Sequence, residues 1–89
     1  MDLKDLRDKI DEIDDNIVKL LSERFDVVKD IAEYKKEHNI DIFQKNREAE
    51  VLKNISDKTN NQEYKDYILK IYFEIFDAGK SLQQKNHFS

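Results

Sequence analysis

The sequence has no cysteine, no proline and a single glycine, Gly79. Each absence removes a class of protein. Without cysteine there is no disulfide scaffold, no thiolate nucleophile and no cysteine zinc site. The two histidines, His38 and His87, stand far apart in the chain, which argues against a histidine metal centre. One glycine cannot build a phosphate-cradling loop, which needs several for close backbone approach. The shortage of proline and glycine leaves few hairpin turns and argues against an all-β fold. No apolar run reaches the roughly 18 residues that a membrane span requires. The opening Met1-Asp2-Leu3-Lys4-Asp5 is acidic and periodic, unlike a secretory leader. The expectation is an all-α, cytoplasmic protein of one domain spanning residues 1–89, with no metal, no cofactor, no nucleic acid and no membrane.

What is present is charge. Of 89 residues, 40% are charged, and 16 basic against 20 acidic leave a formal net charge of −4. That balance speaks weakly against a nucleic-acid partner. Among the basic residues only Arg7, Arg24 and Arg47 are arginine.

Apolar residues repeat with period seven from Leu3 to about Lys36. One position reads Leu3, Ile10, Ile17, Arg24, Ile31, and the other Leu6, Ile13, Leu20, Val27, Tyr34. This is a helical seam interrupted only by an arginine. Leu21, Val28 and Ala32 widen the stripe, as a helix with more than one neighbour requires. Asn39 is a plausible stop. Ile40 to Phe43 alternates and reads as an extended connector. A short helix follows from near Gln44 to Ile55, with Ala49, Val51, Leu52 and Ile55 as its apolar side. Residues 56–61 read as a loop, with Asn60 and Glu63 arranged as a cap for the last helix. That helix carries Tyr64, Tyr67, Ile68, Ile71, Tyr72, Ile75, Phe76, Gly79 and Leu82 at helical spacing. The tail from Lys85 to Ser89 is expected to fray.

Length then bears on assembly. A helix from residue 3 to 36 is about 51 Å long, whereas a compact chain of this size is about 30 Å across. The first helix would project with its seam in water. An antiparallel twofold homodimer would bury both seams.

Four cationic positions stand out from the solvated surface. Arg24 lies in the seam, where a charge is costly unless paired. Lys35 follows it by eleven residues and returns to nearly the same face, about 16 Å further along. Arg7 is about 42 Å from Lys35 on the same helix and cannot join them within one chain. In an antiparallel dimer, Arg7 of the other copy arrives between Arg24 and Lys35. Arg47 opens the short helix beside Glu48. Gly79 interrupts an apolar stripe, and Gln83 lies one turn beyond it. The set holds no nucleophile and no metal-ligand cluster. Three guanidiniums suit bidentate recognition of carboxylates, so a small dicarboxylate is the implied ligand.

These residues resemble the all-helical class of chorismate mutase over nearly the whole chain. The matching positions are Leu6-Arg7, Ile10, Ile13-Asp14, Ile17, Leu20-Leu21, Glu23-Arg24 and Lys35, then Arg47-Glu48, then residues 75–83 with Gln83 at the active-site glutamine. The ending from Glu74 to Gly79 is also similar to mutase modules fused to a DAHP synthase. The resemblance implies intertwined dimers of three-helix chains, and an isomerase that rearranges chorismate to prephenate on the route to phenylalanine and tyrosine. It implies catalytic roles for Lys35, Gln83 and Arg24. Arg7 from one chain, with Arg24 and Arg47 from the other, would hold the two carboxylates. Lys35 and Gln83 would donate to the ether oxygen, and Glu48 would accept from the ring hydroxyl. Gln44 and Gly79 stand at substrate-contacting positions that differ from many relatives, where aspartate and serine occur. Many relatives also have Asp-Pro where this chain has Gln44-Lys45-Asn46, which leaves the connector less constrained. Three other readings stay open on the sequence: a regulatory module that senses pathway product for a synthase, an isochorismate-pyruvate lyase, and a helical dimerisation module without catalysis.

Overall fold

The computed structural model describes residues 1–44 and 46–88, the last two by their backbone alone. Three helices follow one another: α1 (Leu3–Glu37), α2 (Arg47–Lys58) and α3 (Gln62–Phe88).

Local chemistry sets the ends. Asp2 caps α1, its carboxylate accepting from the Asp5 amide at 2.9 Å. Asp5 in the first turn and Lys35 and Lys36 in the last suit the helix dipole. Asn39 stops the helix as expected, and does so by adopting a left-handed φ of 55°. The Ile40 amide then reaches the Lys35 carbonyl at 2.8 Å, and the Asn39 amide the Lys36 carbonyl at 3.4 Å. This is a Schellman closure with asparagine in place of the usual glycine. It turns the chain sharply at Asn39, just past Lys35.

The second helix begins at Arg47, later than the expected start near Gln44. Asn46 occupies its cap position without a side-chain hydrogen bond, and Glu48 and Glu50 supply negative charge in the first turn. It also runs through Ser56, Asp57 and Lys58, which composition placed in a loop. Asp57 and Lys58 there are exposed while Ser56 is half-buried, and Lys53 pairs with Asp57 at 3.7 Å on the exposed side. Only Thr59 to Asn61 connect α2 to α3. Asn61, not Asn60, caps α3, its side-chain oxygen accepting from the Glu63 amide at 2.9 Å. The backbone of α3 stays helical through Phe88, beyond the residue where fraying was expected; Ser89 lies outside the described residues.

The tertiary core is small. α3 packs on both α1 and α2, and among the described residues no close backbone approach joins α1 to α2. Among the described residues, Val28 and Ala32 of α1 and Phe76 of α3 are the buried apolar side chains. Phe76 meets Tyr72 edge-on, with ring centroids 6.0 Å apart. Two of these three come from α1, and both belong to the residues that widen its stripe rather than to the heptad seam. The seam itself stays open: Leu3, Leu6, Ile10, Ile13, Ile17, Leu20, Val27, Ile31 and Tyr34 are all exposed, none by less than 42%. On α2, Val51, Leu52 and Ile55 are half-buried, whereas Ala49 is exposed and drops out of the apolar side. The chain is accordingly elongated, 54 × 26 × 15 Å, with a radius of gyration of 16.2 Å. A compact chain of this length would have about 12 Å. No helix among the described residues is long and apolar enough to cross a membrane.

Candidate functional site

Because α1 and α2 both lean on α3 without touching, a hollow of about 660 Å³ remains between them. Its wall on α1 is the second half of the seam: Leu20, Arg24, Val27 and Ile31, with Lys35 at the end. Phe76, Gly79 and Gln83 of α3 form another wall, and Arg47, Glu48 and Val51 of α2 a third. Ile42, Phe43 and Gln44 of the connector close one end. Of the eight site residues read from the sequence, Arg24, Lys35, Gln44, Arg47, Glu48, Gly79 and Gln83 converge here. Arg7 does not. It sits near the far end of α1, outside the cavity lining.

Lys35 and Gln83 meet directly. The Lys35 ammonium donates to the Gln83 side-chain oxygen at 2.9 Å and to the Ile42 carbonyl at 2.6 Å. An ammonium has three donors and no acceptor. Two are used, so one proton stays available to a ligand. The same contact fixes the glutamine: its oxygen must face the lysine, which leaves its NH2 group free to donate. Burial lowers the Lys35 pKa from the ordinary 10.5, since desolvation disfavours the charged form.

Arg24 is half-buried and makes no hydrogen bond or ion pair with a described residue. Its guanidinium is thus uncommitted among the described residues and lines the cavity. Gly79 lies beside it. A Cβ built there would stand 4.0 Å from an Arg24 terminal nitrogen, an ordinary contact. The glycine is therefore not demanded by a steric limit.

Arg47 stands at the rim. It pairs with Glu50 at 2.7 Å, both side chains being more than 60% exposed. Such a pair is worth little in water and yields readily to a ligand carboxylate. The Gln44 amide donates back to the Asp41 carbonyl at 2.8 Å, so one of its donors is already occupied. Lys45, in the departure from the Asp-Pro pattern, lies outside the described residues.

Lys80 is the residue that sequence reasoning passed over. Its ammonium contacts Glu48 at 3.2 Å and Asp77 at 3.6 Å, and lies 5.6 Å from the centre of the Phe43 ring. Its pKa is raised, foremost by the hydrogen bond to Glu48, with the charges of Glu48 and Asp77 adding to it and desolvation opposing. Its spacing was a usable signal: Lys80 follows Gly79 directly and precedes Gln83 by one helical step of three. Phe43 and Val51 also line the hollow without having been singled out.

Fold and site together define an all-helical module whose open cavity concentrates cations without a nucleophile or, among the described residues, a metal-binding cluster. Its relatives are specific. The family described as chorismate mutase type II matches residues 6–84. The chain is 34% identical to a chorismate mutase of Methanocaldococcus jannaschii, over 93% of its own length and 85% of that protein's. It is 37% identical to a bifunctional chorismate mutase/prephenate dehydratase of Aquifex aeolicus, over 94% of its own length but only 24% of that protein's. It thus spans about a quarter of that fused relative, which joins the mutase to a dehydratase rather than to a synthase. A solved structure of chorismate mutase from Thermus thermophilus superposes with a TM-score of 0.87 at 28% identity, covering 92% of this chain and 93% of that one. The chain belongs to the chorismate mutase type II family.

Proposed function

We propose that this chain is a single-domain chorismate mutase, an isomerase converting chorismate to prephenate, and that it works as a homodimer. The Lys35–Gln83 contact carries the reading. Two side chains 48 residues apart are brought to 2.9 Å, with one donor left on the Lys35 ammonium and the Gln83 NH2 group uncommitted. Chorismate rearranges by breaking a C–O bond as a C–C bond forms, and negative charge builds on the ether oxygen. Donors already in place for that oxygen stabilise the transition state without reorganising. The reaction is unimolecular, so the rest of the task is to hold a compact conformer. A cavity without a nucleophile suits this chemistry.

Arg24 binds one substrate carboxylate within the cavity. Arg47, released from Glu50, helps hold a carboxylate at the rim. Glu48 offers the oxygen not engaged by Lys80 to the ring hydroxyl. Gln44 and Gly79 lie against the substrate. Arg7 of a second copy supplies the missing cation from across the interface. The exposed seam supports the dimer: nine large apolar side chains on one helix face form a larger patch than a soluble monomer ordinarily presents.

Loss of chorismate absorbance tests the reading. Wild type turns over chorismate, and Lys35→Ala loses roughly a hundredfold in kcat, the cost of one transition-state donor. Because burial lowers the Lys35 pKa, activity falls on the alkaline side below the ordinary lysine value of 10.5. Full activity in Lys35→Ala would refute its assigned role.

A further inference from the structure

Lys80 touches three separate segments with one ammonium: Glu48 in the first turn of α2, Asp77 on its own helix, and the Phe43 ring in the connector. Among the described residues no other polar contact ties α2 to α3 at the cavity. The connector is held at two adjacent residues by two lysines, Lys35 at the Ile42 carbonyl and Lys80 at the Phe43 ring. Lys80 is only 36% exposed and Glu48 30%, so this pair lies between surface and interior.

We propose that Lys80 is a positioning residue for substrate binding, holding the Glu48 carboxylate away from the cavity's own cations and keeping Phe43 over the cavity mouth. Without Lys80, Glu48 is an unpaired carboxylate facing Arg24 and Lys35 from α1, with Arg47 beside it on α2. It turns toward one of them and occupies a cation that the substrate needs. Asp77, on the far side of Lys80, loses its partner as well but stays in water. The consequence is weaker substrate binding with little change in the chemical step, because the Lys35 and Gln83 donors are untouched. The proposal rests on the mutase reading for its kinetic part alone.

The variant is Lys80→Met, which keeps most of the apolar stem, with Lys80→Arg as the rescue. For chorismate, KM rises roughly fivefold in Lys80→Met with kcat within about twofold, the pattern of lost uniform binding. Lys80→Arg restores KM. In a Glu48→Gln background the same change leaves KM where it was, since the two residues act as one unit. A second arm needs no turnover. The Arg47 and Glu50 amides bond to the Gln44 and Asn46 carbonyls at 3.0 and 3.1 Å, closing the first turn of α2. Their hydrogen exchange in the ligand-free protein speeds up about threefold in Lys80→Met and recovers in Lys80→Arg. An unchanged KM, or an equal rise in the Glu48→Gln background, overturns the proposal. A wild type that consumes no chorismate defeats the mutase reading instead, and unchanged exchange at Arg47 and Glu50 then overturns the role of Lys80 independently.

Discussion

The two halves of α1 carry the same heptad seam and meet different surroundings. From Leu20 onward the seam lines a cavity, and the residues beside it, Val28 and Ala32, are buried. Before Leu20 every residue from Leu3 to Lys19 is exposed, although Leu3, Leu6, Ile10, Ile13 and Ile17 are as apolar as their counterparts. Sequence pattern makes both halves helical. Burial within the chain distinguishes them, because α3 reaches only the second. The first half is thus a helix whose apolar face the chain does not cover, and it carries the one arginine absent from the cavity.

Separate substitutions in the two halves test whether they serve one site. Arg7→Ala should lower kcat/KM by roughly a thousandfold, the scale of removing one partner from a desolvated charge pair. Lys35→Ala, with its expected loss of roughly a hundredfold, is impaired for a different reason. Mixing the two impaired variants, with unfolding and refolding to exchange chains, should restore about a quarter of wild-type activity, because half the dimers are mixed and each holds one intact site. No recovery would remove the trans role of Arg7 and with it the functional unity of the helix.

The next expected effect contrasts stability with association. Phe76→Ala, at the buried centre, should cost about 3 kcal/mol in denaturant unfolding. Ile13→Lys, on the uncovered half, should instead weaken association by about tenfold or more, read by sedimentation equilibrium, since a like-for-like pair of seams cannot bury a lysine at no cost. If Ile13→Lys left the mass unchanged, the first half would need another explanation. The smallest effect is at Gly79. Alanine there meets Arg24 at an ordinary 4.0 Å and favours the helix, so Gly79→Ala should stabilise the chain by roughly 0.5–1 kcal/mol. Destabilisation in thermal melts would mean that the glycine is required by packing outside the chain itself.

The sequence pattern determined the three helices, because helical period and terminal capping are local. It also marked six cavity residues: Arg24 and Lys35 share a helix face, Gly79 and Gln83 share another, and Arg47 and Glu48 open α2; Gln44 came only from the family resemblance. It missed the extension of α2 through Lys58, where polar residues are compatible equally with a loop and with a solvated helix turn. It placed the α3 cap one residue early for a similar reason: Asn60 and Asn61 have the same capping chemistry, and only backbone geometry chooses between them. The spacing of Lys80 from Gly79 and Gln83 was a signal, but its partners were not legible, because α2 and the connector bring Glu48 and Phe43 to it from more than thirty positions away. Lys35 and Gln83 were each marked by the sequence, whereas their direct contact depends on tertiary packing in the same way. Period and composition specify which face of a helix is apolar; which apolar face finds cover inside the chain depends on where α3 lies. That is why the heptad seam, the strongest signal in the sequence, is not the core of the chain, and why its less regular shoulder, Val28 and Ala32, is.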